Sequence, residues 1–329
     1  MITYKIGLVY TAGFKRVYLH QNNTVENYFK IEKVADYLKY RNQKPVHLLL
    51  GLVDFYQLRN DVDSINTHWD GLDFDCYAIF LKDNPGCKLK YGGNQYDFDE
   101  GTMVFIGPNQ RVGMVKGKAF QPKGYALLFH PDLLKGSNLE KGIAKYSYFS
   151  YSVNEALHLS NKEREVILSL LDKIQFELEQ NTDKHSKKLI LSNLSLLLDY
   201  CMRFYDRQFI TRELPNHSTM NEFDLLLENY FYSSAPQEWG FPSVQYFAEK
   251  VHLSSNYFGD LVRKEKGISA QEYIQNKLIE VAKEQVIDTD LSINEIAFGL
   301  GFKYPQHFSR LFKKKLGCTP KAYRLSTMN

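Results

Sequence analysis

The spacing of apolar residues divides this chain of 329 residues into two regimes. Up to about residue 155 they come in short runs broken by Gly, Pro, Asn and Asp. Pro45–Tyr56, Phe74–Lys82, Thr102–Ile106 and Gly124–Phe129 read as strands, the third stopped by Gly107–Pro108. One helical interval interrupts them: in Phe29–Tyr40, the residues Ile31, Val34, Ala35 and Leu38 fall on one face. Strands so short and so closely punctuated predict a small β-barrel or sandwich. Residues 1–28 are Tyr-rich and without a clear period, which fits a loose arm or a short strand pair.

The period then changes. Ser160-Asn161-Lys162-Glu163 is a capping box, in which hydroxyl and carboxylate satisfy reciprocal backbone donors. Behind it Ile167, Leu171, Ile174 and Leu178 recur at +4, +3, +4. A second helix, roughly Lys184–Arg207, carries Ile190, Leu194, Leu197, Cys201 and Phe204 with the same alternation. Two readings of that seam stay open: half of a hairpin covering the barrel, or a surface that also meets its twin in a homodimer. Glu213–Thr219 is polar and contains Pro215, as a linker would. Asn221–Tyr232 reads as the next helix and Pro236–Pro242 as a loop. The predicted division is therefore 1–155, β-rich; 156–212, helical hairpin; 213–220, linker; and 221–329, all-α, giving an α+β chain.

The last part repeats itself. Set against Ser292–Tyr323, Ser243–Tyr273 pairs Ser243 with Ser292, Ala248 with Ala297, Phe258 with Phe308, Gly267 with Gly317 and Tyr273 with Tyr323. The offset is 49 before the middle of the unit and 50 after it, so one residue is gained in a turn. Each copy reads as helix, tight turn, helix. Ser243 caps the first helix, whose stripe is Val244, Phe247, Ala248 and Val251; Ser254 or Ser255 caps the next, with Phe258, Leu261 and Val262 inward. In the second copy Ser292-Ile293-Asn294-Glu295 is another capping box, Gly301-Phe302 the turn, and Pro305 sits in the first helical turn, where a missing N–H costs nothing. Ala248 and Ala297 are small where two steeply crossing helices approach. Between the copies a helix capped at Ser269 carries Ile274, Leu278, Val281, Ala282 and Val286 on one face, a spacer suited to holding two readers over neighbouring major grooves.

Charge sharpens this picture. From Gly301 to Asn329 there are seven Lys/Arg and no Asp or Glu, so with a total of +3 the first 300 residues sum to −4. A basic end on a mildly acidic body suits phosphate binding as well as a solvated Lys face. The four cysteines, Cys76, Cys87, Cys201 and Cys318, lie far apart with no Cys-x-x-Cys spacing, which fits a reducing cytoplasm. No apolar run approaches the ~18–20 residues of a membrane span, and no secretory signal is expected.

The spaced residues Tyr257-Phe258, Gly267-Ile268-Ser269, Tyr273-Ile274, Ala282, Ser292–Ala297, Gly301-Phe302, His307–Lys314, Gly317–Pro320 and Tyr323-Arg324 resemble the AraC/XylS family of transcription regulators over about Ser243–Arg324. The resemblance implies promoter DNA as partner, the transcription machinery beyond it, and a cupin-like N-terminal sensing and dimerisation region with a small-molecule effector. Carried over by position, Pro305, Gln306, Ser309 and Arg310 face DNA. Gln pairs with adenine and Arg with guanine, each good pair being worth ~1–3 kcal/mol of discrimination. Lys303, Lys313, Lys314 and Lys315 are the corresponding phosphate contacts.

The first unit departs from that pattern: its outward positions are Asn256, Gly259 and Asp260. Asn256 can read adenine, and Asp260 repels phosphate and could at best accept from a cytosine amino group; the unit either positions the protein on the backbone through Arg263 and Lys264, the favoured reading, or reads a site by close backbone approach. Lys277 stands where the family commonly has Arg, whose planar fork it cannot reproduce.

Other chemistry is missing. His47, His68 and His130 are isolated, with no His-x-His and no His-Glu-x-x-His, so no metal or other cofactor is expected. Asp97–Gly101 reads as a strand turn, and there is no phosphate loop and no nucleophile elbow. Tyr77, Phe80, Tyr91, Tyr96, Phe105 and Tyr125 are candidates to line a barrel pocket, against the plainer reading that strand aromatics are core. Two competing readings are an N-terminal cupin-type enzyme with a DNA-binding appendage, and a sensor whose repeats serve protein contact.

Overall fold

The computed structural model describes residues 27–58, 69–83, 89–91, 94–96, 101–114, 123–152, 155–211, 213–288 and 290–327. Residues 1–26 of the arm, Asp97–Glu100 of the proposed turn and Cys87 lie outside them. The chain runs β1 (Tyr28–Ile31), α1 (Val34–Tyr40), β2 (Leu50–Asp54), β3 (Gly71–Phe74), β4 (Tyr77–Lys82), β5 (Leu89–Tyr91), β6 (Asn94–Tyr96), β7 (Thr102–Ile106), β8 (Gln110–Met114), β9 (Gly124–Phe129), α2 (Asn138–Gly142) and β10 (Leu157–His158). Two strands, β7 and β9, fall where the apolar runs placed them.

The others differ for tertiary reasons. The helix expected over Phe29–Tyr40 begins only at Val34, because Tyr28–Ile31 pairs in parallel with Gly71–Phe74. Lys33 is extended, and the Asp36 carboxylate accepts from its N–H at 2.8 Å, starting the helix there. Only Leu50–Asp54 of the long run Pro45–Tyr56 is strand, being the part that meets β9. Phe74–Lys82 is split at Asp75-Cys76 between two sheets.

Those sheets have the orders β1-β3-β8-β5-β6 and β10-β7-β4-β9-β2. Among the described residues neither closes on itself into a barrel; of the barrel or sandwich expected, the two sheets facing each other are the sandwich. Alternation along the second sheet sorts its side chains. Ala78, Val104, Ile106, Ala126 and Leu128 join Phe74, Val112 and Tyr37 of α1 between the sheets. Ile79, Leu81, Met103, Phe105, Leu127 and Phe129 point the other way, toward the helices.

Those helices are α3 (Asn161–Glu179) and α4 (Ser186–Thr211). The Ser160/Glu163 capping box forms as read, and the same Glu163 accepts from Arg207 Nε at 3.0 Å and Nη2 at 2.7 Å, tying the end of α4 to the start of α3. Ile190, Leu194, Leu197, Cys201 and Phe204 are all buried inside this chain. That seam is internal packing, because the second sheet needs an apolar cover, and it is not available to a second subunit.

The segment read as a linker is helical. The helix α5 (Glu213–Phe231) begins two residues after α4 ends, and the buried Asn216 amide donates to Phe209 O at 2.6 Å across the corner. The expected loop 236–242 holds a short helix, α6 (Ala235–Trp239), with Pro236 in its first turn. Then follow α7 (Val244–Lys250), α8 (Ser255–Lys266), α9 (Ala270–Asp288), α10 (Ile293–Gly299), α11 (Pro305–Leu316) and α12 (Pro320–Thr327). One apolar core runs from the sheet through α3 and α4 into these helices.

Candidate nucleic-acid interface

The repeat seen in the letters is a repeat in space. In the first unit α7 ends on His252, with φ of 58°, and Leu253 N–H returns to Ala248 O at 2.9 Å. In the second, Gly301 has φ of 87° and Phe302 N–H returns to Ala297 O at 3.0 Å. Both units therefore use one left-handed residue to turn, and Lys303 is the residue gained afterwards. Gly301 is required for a second reason: a Cβ there would lie 2.5 Å from the Gly240 carbonyl carbon. Ala248 and Ala297 are fully buried at the helix crossings.

Ser243, Ser254 and Ser292 cap α7, α8 and α10 through the N–H groups of Tyr246, Tyr257 and Glu295. Gly267 and Gly317 end α8 and α11 in left-handed caps. The spacer α9 buries Ile274, Leu278, Val281, Ala282 and Val286 and packs against α5, α7, α8, α10, α11 and α12. The two units are thus held on one rigid rod.

On α11 the inward stripe is Phe308 and Phe312, both fully buried. The opposite face presents Gln306 and Arg310 to solvent one turn apart, with Ser309 half-buried between them. Lys303, Lys313 and Lys314 are exposed around this face. Lys315 is not part of it: its ammonium lies 3.0 Å from the Glu272 carboxylate, fastening α11 to α9. Arg324 is likewise structural, its guanidinium donating to Val286 O at 2.7 Å and Leu291 O at 2.8 Å. Of the basic tail, the part facing outward at the reader is Lys303, Arg310, Lys313 and Lys314.

The first unit is arranged otherwise. Its α8 buries Tyr257, Phe258, Leu261 and Val262, and Asn256 is exposed. Asp260, in contrast, accepts from Ser147 Oγ at 2.6 Å and from Tyr151 Oη at 2.7 Å. Lys264 pairs with Asp206 of α4 at 2.6 Å, and Arg263 sits 3.6 Å from Asp260. Glu155, almost wholly buried, accepts from Ser254 N at 2.6 Å and Ser254 Oγ at 2.5 Å, which places a carboxylate at the positive end of α8. Burial pushes the Glu155 pKa up, against the hydrogen bonds from Ser254 and Ser152. None of Ser147, Tyr151 and Glu155 was singled out in the sequence. The available signal was Asp260 itself, an acid where the second unit has Arg310. Lys277 bonds Glu228 at 3.4 Å on α5.

The aromatic positions proposed for a pocket separate onto two faces. Phe80 lies between the sheets against Tyr37 and Phe74. Tyr77 and Phe105 lie on the helical side, both against Phe149, and Tyr125 meets Tyr56 there at 5.9 Å. Tyr91 and Tyr96 are on β5 and β6, and their side chains lie outside the described residues. Among the described residues no three metal-ligating side chains cluster, and no helix is long and apolar enough to cross a membrane.

Comparison with known proteins places the C-terminal part. Residues 247–326 match the family described as "Helix-turn-helix domain". The uncharacterized HTH-type transcriptional regulator YtdP of Bacillus subtilis is 39% identical over 77 residues, which are 23% of this chain and 10% of that protein. The thermoregulatory protein LcrF of Yersinia pestis is 24% identical over 243 residues, 71% of this chain and 83% of LcrF. The solved C-terminal domain of the response regulator yesN from Fusobacterium nucleatum is 31% identical, covers 32% of this chain and 98% of that one, and superposes with a TM-score of 0.29. The chain spans only a tenth to a quarter of the length of the first three curated relatives it matches. The duplicated units, their motif residues and the family match agree that residues 247–326 form a helix-turn-helix domain, similar in sequence to that of known transcription regulators.

Proposed function

We propose that this chain controls transcription by binding promoter DNA through the paired units, with the part before α5 supplying control and self-association. The observation that carries the reading is α11: a reader helix on a rigid spacer, with Gln306 and Arg310 exposed and Lys303, Lys313 and Lys314 beside them. Phosphate contacts from the lysines give salt-dependent affinity, and Gln306, Ser309 and Arg310 give base preference. Selection of bound sequences from a random DNA pool, followed by binding across salt concentrations, tests it. A recovered consensus and a steep loss of affinity with salt are expected. Recovery of no consensus, with a flat salt dependence, would remove the reading and favour repeats that serve protein contact.

Homodimerisation, in this reading, uses the outer face of the hairpin. Leu189, Asn193, Leu196 and Tyr200 recur at +4, +3, +4 on α4, and Leu189 and Leu196 are each 45% exposed. Phe176 of α3, 60% exposed, widens the same face. That is coiled-coil spacing pointing outward, opposite to the buried seam. Tyr77, Phe80 and Phe105 fit core packing better than a shared effector pocket, because Phe80 lies between the sheets and the other two on the helical side.

A further inference from the structure

The C-terminal half holds a cleft that DNA reading leaves unused. It lies between α6, α10 and the tight turn of the second unit, has a volume of about 900 Å³, and counts the buried Pro236 and the turn residue Gly301 among its walls. Large apolar side chains stand open in it. Trp239 is 78% exposed, and Tyr232, Phe298 and Leu291 are exposed beside it. So much aromatic surface gathered in one concavity is the mark of a ligand site. The charges there are unequal. Glu238 and Glu295 line the cleft, Glu295 one turn from Phe298 on α10, and Glu284 accepts from Tyr232 Oη at 2.7 Å. Hydrogen bonds from Ser292 hold the Glu295 carboxyl below its usual pKa, so it is ionised at neutral pH. One cation, Lys303, lines the cleft among the described residues, and the function proposed above gives that lysine to a DNA phosphate.

We propose that this cleft binds an amphipathic organic cation, an ammonium group carried on an aromatic body. The ammonium is attracted by the negative face of an aromatic ring and by the carboxylates, while the body displaces water from Trp239, Phe298 and Leu291. An anion of the same shape is repelled by Glu238 and Glu295, and a neutral molecule gains the apolar part alone. Both carboxylates are held before a ligand arrives: Glu238 accepts from Ser234 Oγ at 2.6 Å, and Glu295 from Ser292 N at 2.7 Å. The site stands on the cleft itself; its regulatory value rests on the DNA-reading function. DNA that neutralises Lys303 removes the charge opposing the ligand, so ligand and DNA tighten each other by the same factor.

The test uses the full chain carrying Trp69→Phe, which leaves Trp239 as its only tryptophan. Benzyltrimethylammonium is expected to change Trp239 fluorescence saturably, and its neutral and anionic counterparts, benzyl alcohol and benzoate, to bind at least about tenfold more weakly. The double variant Glu238→Gln/Glu295→Gln keeps both hydrogen-bond acceptors and removes both charges. It should bring the cation down to the level of benzyl alcohol. Calorimetry on Trp239→Ala, a change at an exposed position, should show the heat of cation binding lost. With a duplex recovered by selection present, cation affinity should rise about fivefold, and Lys303→Ala should remove that rise. Equal affinity for all three probes, or cation binding untouched by Trp239→Ala, would overturn the site. So would two other outcomes: a lysine-rich peptide shifting Trp239 emission where no probe does, which assigns the cleft to a protein partner, or emission that follows protein concentration, which assigns it to a second copy. A chain that binds no duplex would strike the DNA-reading function instead, and the probe titrations would still decide the site.

Discussion

At the scale of single residues, the proposed function gives base preference and phosphate affinity to different side chains. In that reading the exposed Arg310 forks onto a base edge, whereas Lys314, on the flank of α11, acts as a point charge. Arg310→Ala is expected to cost about 1–3 kcal/mol on the preferred sequence and little on others. Lys314→Ala should weaken all sequences alike and flatten the salt dependence by about one phosphate. Binding isotherms on preferred and scrambled duplexes measure both, and equal losses on every duplex for both variants would contradict the division. Which lysines act was only partly legible. The basic run Lys313–Lys315 is uniform in the letters, but a helix turns each residue by 100°, so Lys315 swings inward to Glu272. Arg324 was counted with the tail for the same reason, and its carbonyl partners become neighbours only after folding.

A second residue-scale device joins α3 to the sheet. The buried Asp83 receives Arg164 Nε at 3.0 Å, a second guanidinium nitrogen, and Tyr56 Oη at 2.5 Å. Burial opposes its ionisation, but the bonds from Arg164 and Tyr56 outweigh this and hold its pKa below the usual carboxylate value. The folded state therefore gains stability from this carboxylate at pH above its ordinary pKa, and loses it as pH falls through the depressed one. Arg164→Gln removes that benefit and leaves a buried charge, costing about 2 kcal/mol at neutral pH after allowing for the partly exposed Arg164. Acid unfolding followed by circular dichroism should move to higher pH in the variant. An unmoved acid midpoint would mean the pair does not contribute.

At the scale of elements, the tight turn of the second unit is constrained twice over. Gly301→Ala meets both a left-handed backbone and the Gly240 carbonyl carbon at 2.5 Å. A loss of about 1–3 kcal/mol is expected, with DNA binding falling further because α11 is reoriented. Thermal melting beside DNA affinity checks this; a variant that binds and melts like the parent would show the turn to be more pliant than its geometry. Elements defined by local signals were legible: the capping boxes at Ser160 and Ser292, the caps at Ser243 and Ser254, and strands β7 and β9. Those defined by distant partners were not. Tyr28–Ile31 is a strand only because Gly71–Phe74 lies beside it, and Glu213–Thr219 is helix although Pro215 and its polar neighbours resemble a linker. Sequence period also found the apolar seam of α4 but could not say what covers it.

At the scale of the whole molecule, the internal cover of that seam leaves the opposite face of α4 for the self-association proposed above. Leu196→Glu would place a charge at the centre of the outward face and is expected to leave folding intact while weakening a dimer by tenfold or more. Sedimentation over a concentration range reads the result, and an unchanged mass would discard that face. By contrast Leu197→Glu, one position on, should unfold the chain, since Leu197 is fully buried.

The corner between α4 and α5 has a mechanical consequence. Two long helices, of 26 and 19 residues, meet there with a single position between them. The second forms an arm about 28 Å long, so a tilt of about 10° at its base carries the far end some 5 Å sideways. Modest loosening near Phe209 and Asn216 is thereby magnified at the distant end of α5, which makes the corner the natural pivot for any motion that swings the C-terminal helices away from the sheets.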